Sequence, residues 1–211
     1  MYLLLLSLAT VIAAATALPH PPRDEPELPA SSALLPRVAE IPQRSRVLGY
    51  TRAEFGPGWA TDAGCTVRET MLIDAGATLS SCQVTGGLSR DPYTGQTLEL
   101  GVDVEIDHIF PLSAAWDLGA HRWSVAERTA FANDPRNLVV TSRRANQAKS
   151  DLLPAEWMPA DRGARCWYAR RLLWVAATYD LPLPVSDKVS VTRACRMDVI
   201  TRDWLGWSLD L

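Results

Sequence analysis

The chain has no surplus of positive charge and very little lysine. Its formal net charge is −3, and of its 21 Lys and Arg residues only Lys149 and Lys188 are lysines. A protein that binds long nucleic acid over its whole surface is usually basic. If nucleic acid is a partner, contact must therefore be confined to a local patch of the surface.

The sequence also lacks any apolar run long enough to cross a bilayer, which takes roughly 20 residues. The longest run, residues 3–18, is interrupted only by Ser7, Thr10 and Thr16, and it reaches the small-x-small pattern Ala15-Thr16-Ala17. A run of this length that ends in such a pattern predicts a secretory signal peptide at residues 1–17. No Lys or Arg precedes the run, and an uncleaved anchor is the alternative. We expect a secreted protein that has no contact with the membrane after cleavage.

Residues 18–46 carry seven of the 15 prolines. Proline removes backbone donors and disfavours both helix and sheet. The composition predicts a disordered tether at residues 18–46, followed by one folded domain at residues 47–211.

The cysteines lack the C-x-x-C spacing of a structural zinc site. Four cysteines in an exported chain indicate two disulfides, and three pairings are possible. We predict Cys65–Cys82 and Cys166–Cys195, because each pair joins segments that are close in sequence.

Two short strands and a helix stand out in the middle of the chain. Val102, Val104 and Ile106 alternate with acidic residues, which predicts a half-buried strand. Residues 137–141 predict a second strand, and Ser142 is a plausible N-cap for a following helix.

Polar residues at the ends of these elements could support phosphodiester hydrolysis. Asp107 and Asn146 offer the oxygen ligands that a hard divalent cation prefers, and His108 is a candidate general base near neutral pH. Asn137 could hold the histidine in position. Adjacent strand residues point to opposite faces, so Asp107 and His108 can share a site only if the strand bends or ends there.

The predicted helix carries Arg143, Asn146 and Lys149 at intervals of three residues. We expect Arg143 and Lys149 to bind substrate phosphates beside Asn146, and a second stripe to pack on the core. That second stripe is Ala145, Ala148 and Leu152. Charge is segregated as well, with net −5 over residues 99–134 and net +5 over residues 135–171, although chance could produce this.

These motifs resemble the HNH nucleases, in the variant that reads Asp-His, then Asn, then Asn. Asp91-Pro92-Tyr93-Thr94-Gly95, Phe131-Ala132-Asn133-Asp134-Pro135 and Pro154-Ala155-Glu156-Trp157 extend the resemblance to the C-terminal HNH domain of GmrSD-type restriction endonucleases. It covers about residues 47–195, but the tail with Trp204 and Trp207 finds no match.

The resemblance implies an α+β fold. Its ββα-metal core would contain a small antiparallel β-hairpin with helices around it, and in this chain two disulfides would staple it. It also implies one divalent metal ion, for which Mg²⁺ or Mn²⁺ is expected, and hydrolysis of DNA or RNA with low sequence specificity. By position, Asp107 and Asn146 match metal ligands, His108 the general base and Asn137 a structural asparagine.

Two other functions remain open from the sequence. The chain could be a non-catalytic binding module on an HNH scaffold, or a cell-wall glycosidase that uses a carboxylate pair such as Glu99 and Glu105. A serine hydrolase is not supported because no G-x-S-x-G motif occurs. No feature of the sequence points to an obligate protein partner.

Overall fold

A computed structural model describes residues 28–62 and 64–196 as a mixed α/β structure with two hydrophobic clusters. The helices are α1 Ser31–Leu34, α2 Val67–Asp74, α3 Leu112–Leu118, α4 Val125–Ala132, α5 Arg143–Lys149, α6 Arg165–Thr178 and α7 Val185–Ala194. The strands are β1 Glu40–Ile41, β2 Thr61–Asp62, β3 Cys65–Thr66, β4 Thr78–Ser80, β5 Gln83–Gly86, β6 Leu88–Arg90, β7 Thr97–Glu99, β8 Val104–His108, β9 Leu138–Ser142 and β10 Leu183–Pro184.

Strands β8 and β9 form an antiparallel pair, and helix α5 follows β9 directly. The register places Val104 opposite Ser142 and His108 opposite Leu138. Ser142 ends the strand and caps α5, because its side chain accepts a hydrogen bond from the backbone N–H of Ala145. The predicted order of strand, strand and helix is therefore present, and β8 ends at His108.

The larger hydrophobic cluster is built by the helices. Helix α6 buries Leu172, Leu173 and Ala176 in this cluster and packs against α1 and α7. Helix α4 is preceded by its N-cap, Ser124, which forms a capping box with Glu127, and it ends at Ala132.

The smaller cluster lies under the short hairpins between residues 67 and 104. Leu72 of α2 packs there with Leu98, Leu100 and residues of β8 and β9. Hairpins β4–β5 and β6–β7 are both antiparallel. The expectation of a mixed fold with small antiparallel sheets is confirmed.

Both predicted disulfides are present. Cys65 bonds Cys82 and joins β3 to the turn before β5, while Cys166 bonds Cys195 and joins α6 to the end of α7. No cysteine within the described part of the chain is free.

The predicted tether is wrong over residues 28–46, which pack on the domain. Leu34 of α1 and Val38 are buried in the larger cluster, and β1 pairs in parallel with β10. Pro36 is compatible with this because it lies in the first turn of a 3-10 helix, where its missing N–H has no partner to lose. The tether was predicted from the prolines alone, and the apolar residues between them, such as Leu34 and Val38, were not taken into account.

A segment that we call the arm, residues 42–55, continues from β1 across the surface. Arg44 fixes it with a 2.7 Å ion pair to Asp117 and a 2.9 Å ion pair to Asp151. Its end is a 3-10 turn, Arg52–Phe55, in which Phe55 is buried. The arm is thus anchored at both ends.

Three predictions concern residues outside those that the structure describes. They are the signal peptide at residues 1–17, the first part of the tether, and the tail with Trp204 and Trp207. In the part that is described, no helix is long and apolar enough to cross a membrane.

Candidate functional site

A cleft of about 520 Å³ opens where β8 ends. Three structural units supply its walls: the end of β8 with the start of α3, the end of α5, and the arm. The lining residues are Arg46, Tyr50, Arg52, Ile106, Asp107, His108, Pro111, Leu112, Ser113, Asn146, Ser150 and Asp151. The three polar residues predicted to carry the chemistry (Asp107, His108 and Asn146) thus lie in one cleft.

Asp107 is buried and bonds two side chains. Lys149 Nζ lies 3.0 Å from Oδ1 and 2.9 Å from Oδ2, and Tyr93 Oη donates to Oδ2 at 2.6 Å. The backbone N–H of His108 is a further donor to this carboxylate. Burial raises the pKa of Asp107 and lowers the pKa of Lys149, while their mutual attraction opposes both shifts. The carboxylate also borders the cleft.

His108 lies at the end of β8 with its imidazole 6% exposed. Its Nε2 is 2.9 Å from the carbonyl oxygen of Ala132. Because a carbonyl can only accept, Nε2 carries the hydrogen, and Nδ1 keeps the lone pair of the neutral ring. Burial lowers the pKa of His108 to about 3, and the charges of Arg52 and Lys149 act in the same direction. The ring is therefore neutral at pH 7.

The ring of Trp59 stacks on the ring of His108. The two planes differ by 8° and their centroids are 5.8 Å apart. Together with the carbonyl of Ala132, this contact fixes the orientation of the imidazole.

Asn137 is fully buried and bonds both backbone groups of Phe110. Its Oδ1 accepts from the N–H of Phe110 at 2.7 Å, and its Nδ2 donates to the Phe110 carbonyl at 3.2 Å. The carbonyl of Asn137 also accepts from the N–H of Ile109 at 2.8 Å. These bonds fix the chain directly after His108, which is the place where the sequence expected this residue to act.

Asn146 projects from α5 toward the cleft and is oriented by Glu105. Its Nδ2 donates to Glu105 Oε2 at 2.7 Å, and among the described residues none donates to its amide oxygen. Glu105 lies two residues before Asp107 on β8, so both side chains lie on one face of the strand. The side chains of Asn146 and Asp107 therefore bring an amide oxygen and a carboxylate to the same cleft.

The predicted phosphate stripe on α5 is wrong at Lys149. Its ammonium is fully buried and bonds Asp107 and the carbonyl of His108, so it is not at the surface. The error lies in the spacing, since six residues rotate a helix through roughly 600° and leave the first and last about 120° apart. Arg143 stays exposed beside Asp103 and Glu105, outside the cleft lining.

The same rotation corrects the predicted core stripe. Ala145 is buried, but Ala148 is exposed and Leu152 is only half-buried. Helix α5 packs instead through Ala145 and Lys149, which are four residues apart.

Sequence reasoning missed the role of the turn at residues 91–95. Its Asp91 is buried and accepts from the hydroxyl groups of Thr94, Thr141 and Ser142 and from two backbone N–H groups. Tyr93 of the same turn bonds Asp107. The turn chemistry of Asp-Pro-x-x-Gly is visible in the sequence, but nothing there indicates that it underlies the cleft.

Residues 74–183 match the family model described as "GmrSD restriction endonucleases, C-terminal domain". The chain belongs to this family. It is also 37% identical over 197 residues to a protein of Arthroderma benhamiae named "Uncharacterized secreted protein", with 90% of this chain and 95% of the relative aligned. No solved structure matches the chain.

The residues that form and support the cleft fall partly inside and partly outside the range matched by the GmrSD C-terminal family. Asp107, His108, Asn137 and Asn146 all fall inside the matched range, and so does the turn at residues 91–95. Arg46, Tyr50, Arg52 and Trp59 lie before it. The cleft is therefore built from family residues on two sides and from the arm on the third.

Proposed function

We propose that the protein is an exported, metal-dependent nuclease that hydrolyses phosphodiester bonds in DNA or RNA with low sequence specificity. The observation that carries this proposal is the meeting of Asp107, His108 and Asn146 in one cleft, with Asn137 fixing the chain beside the histidine. Membership of a restriction-endonuclease domain family and a relative named as secreted support the substrate class and the export.

The donor set of the cleft fits a hard divalent cation such as Mg²⁺ or Mn²⁺. The carboxylate of Asp107 borders the cleft, and the amide oxygen of Asn146 has no hydrogen-bond donor among the described residues. Among residues 28–62 and 64–196, no three His, Cys, Asp or Glu side chains come together in a way that could hold a metal. One carboxylate with one further oxygen resembles the sparse protein ligation that Mg²⁺ usually takes.

A divalent cation, when bound, stabilises the negative charge that develops on the leaving oxygen of a phosphodiester. Asp107 and Asn146 would hold it, and Tyr93, Lys149 and Glu105 would hold those two side chains in position. In this proposal β8, β9 and α5 would form the ββα-metal core.

His108 takes the proton from the attacking water at Nδ1. The bond from Nε2 to Ala132 selects this tautomer, and the stacked Trp59 holds the ring against rotation. The pKa of about 3 belongs to a buried ring beside positive charges. An anionic phosphate in the cleft would raise that pKa toward the range in which a base is effective.

The test is digestion of plasmid DNA and of total RNA in Mg²⁺, Mn²⁺, Ca²⁺ or Zn²⁺, with a chelator as the blank. We expect cleavage that requires a cation and that His108→Ala reduces by about 10²–10⁴-fold. His121→Ala is the matched control, because His121 bonds the Trp116 carbonyl and does not line the cleft. Wild-type protein that binds nucleic acid but never cleaves it would favour the non-catalytic module.

The glycosidase alternative receives no support from the cleft. Glu99 is exposed on β7, and Glu105 is engaged with Asn146 on β8. Neither lines the cleft.

A further inference from the structure

We infer that the arm forms a phosphate-binding wall for the nucleic acid, with Arg46 and Arg52 as its contacts. The inference rests on the proposed function and replaces the stripe on α5 as the source of attraction to the substrate. It also means that the residues matched by the family model form only part of the binding site.

The first argument is position. Arg46, Tyr50 and Arg52 line the same cleft as Asp107, His108 and Asn146, although they precede Asp107 by more than 50 residues in sequence. Arg46 and Arg52 therefore border the space in which a phosphate would meet Asp107 and His108.

The second argument is the balance of charge around the cleft. Lys149 compensates Asp107, while Arg44 and Arg46 compensate Asp117 and Asp151. The guanidinium of Arg52 makes no hydrogen bond or ion pair within the range that the structure describes. Of the charges that line the cleft, the one left without a described partner is thus positive, which suits an anionic ligand.

The third argument separates an anchoring arginine from binding arginines. The Arg44 side chain is only 13% exposed and holds the arm to α3 and to the end of α5. The Arg46 side chain is 70% exposed, and its 2.9 Å pair with Asp151 is a surface ion pair of the kind that contributes little stability. Arg46 can leave that pair for a phosphate at small cost, whereas Arg44 cannot.

The turn that carries Arg52 is rigid enough to present it. Phe55 is 2% exposed, and the rings of Tyr50 and Phe55 are in edge contact with centroids 6.2 Å apart. The carbonyl of Glu54 accepts from Arg128 Nε at 2.7 Å. Side chains held on an anchored turn lose less entropy on binding than those on a mobile loop.

The experiment measures binding of a short DNA duplex in Ca²⁺, used in place of Mg²⁺ to suppress cleavage, over a range of salt concentrations. Each phosphate contact on duplex DNA contributes about 0.9 to the slope of log affinity against log salt. Arg46→Gln and Arg52→Gln should each flatten the slope by about 0.9, and the double variant by about twice that amount. Arg193→Gln is the control, since Arg193 is exposed on α7 and does not line the cleft.

The outcomes separate this inference from the proposed function. A double variant that melts like the wild type but keeps its affinity and salt slope would overturn the phosphate wall, even if the wild type cleaves DNA. A wild type that binds nucleic acid but does not cleave it would overturn the proposed nuclease activity. The salt slopes of the Arg46 and Arg52 variants would then still decide whether the arm binds phosphate. A wild type that does not bind nucleic acid would overturn both.

Discussion

Two buried aspartates hold the two ends of helix α5, and they differ in almost every other respect. Asp91 bonds Ser142, the N-cap of α5, and Asp107 bonds Lys149, the last residue of α5. Asp91 is enclosed by five neutral donors. Asp107 bonds a phenol, an ammonium group and the backbone N–H of His108, and it borders the cleft.

The pKa values of the two carboxyl groups shift in opposite directions. Burial raises the pKa of both, but at Asp91 the hydrogen bonds outweigh burial, and its pKa lies below the ordinary value. At Asp107 burial prevails, and its pKa lies above the ordinary value. A fully satisfied buried carboxylate is a structural group, whereas one kept short of donors remains available for another ligand.

The largest expected effect comes from Asp107→Asn, which changes the aspartate that borders the cleft. Loss of the charge should weaken the binding of Mn²⁺ and reduce cleavage by at least about 10²-fold. It also leaves the ammonium of Lys149 buried without its partner, so the melting temperature should fall. Calorimetric titration with Mn²⁺ and plasmid digestion measure the two effects. Unchanged Mn²⁺ affinity would show that Asp107 is not a ligand.

The same substitution at the enclosed aspartate, Asp91→Asn, should lower stability and leave cleavage unchanged. The amide nitrogen replaces one carboxylate oxygen and cannot accept, so either the bond from Thr141 to Oδ1 or the bond from Ser142 to Oδ2 is lost, and the free energy of unfolding should drop by about 2–3 kcal/mol. Cleavage per folded molecule should stay within about a factor of three of the wild type. Urea unfolding monitored by tryptophan fluorescence gives the first quantity. A selective loss of Mn²⁺ affinity would contradict the division between the two aspartates.

Tyr93→Phe tests the residue that connects the two aspartates, because its backbone N–H bonds Asp91 and its hydroxyl bonds Asp107. Removal of the hydroxyl deletes the 2.6 Å bond to Asp107 but keeps the buried ring. We expect stability to fall by about 1.5 kcal/mol and Mn²⁺ affinity to fall about tenfold.

Tyr168→Phe is a close control for that variant. Tyr168 is equally buried, but its hydroxyl has no hydrogen-bond partner within the described residues. Its removal should be neutral or slightly stabilising, because no bond is lost and an unpaired polar group leaves the core. Equal effects of the two substitutions would show that the bond to Asp107 does not matter.

The smallest effect concerns acid. Because the pKa of Asp91 is lower in the folded state than in the unfolded chain, its charge stabilises the fold above the unfolded pKa of about 3.9. That contribution is lost as the pH falls through the folded pKa. The variant Asp91→Asn has no such contribution to lose, so the gap in melting temperature between it and the wild type should narrow below about pH 4. A constant gap down to pH 2 would mean that Asp91 does not titrate as described.

The sequence predicted the family, both disulfides and the residues that gather at the cleft, because these depend on local patterns. Asp107, His108, Asn137 and Asn146 stand at the ends of two short strands and on the next helix, where local geometry brings them together. Lys149 was misplaced because a spacing of three residues was treated as a straight row along a helix. The available signal was that Lys149 carries the charge opposite to that of Asp107. It also follows Ala145 by four residues, which places both on one buried face of the helix.

The remaining parts of the site depend on contacts distant in sequence. Tyr93 reaches Asp107 across 14 residues, and Arg44 reaches Asp117 across 73. No periodicity indicates such contacts. The prolines led to the expectation of a disordered tether before residue 47, whereas α1 and β1 form there and Leu34 and Val38 enter the core.

The two hydrogen bonds between the Asn137 side chain and the Phe110 backbone also favour one register of β8 with β9. A slip of one residue would exchange the faces of Asp107 and His108, and a slip of two would displace them by about 7 Å along the strand. A side chain that bonds both the N–H and the carbonyl of one backbone residue accepts a single alignment. Asn137 therefore stabilises the native register of β8 with β9, because a slipped pairing would lose both bonds at once.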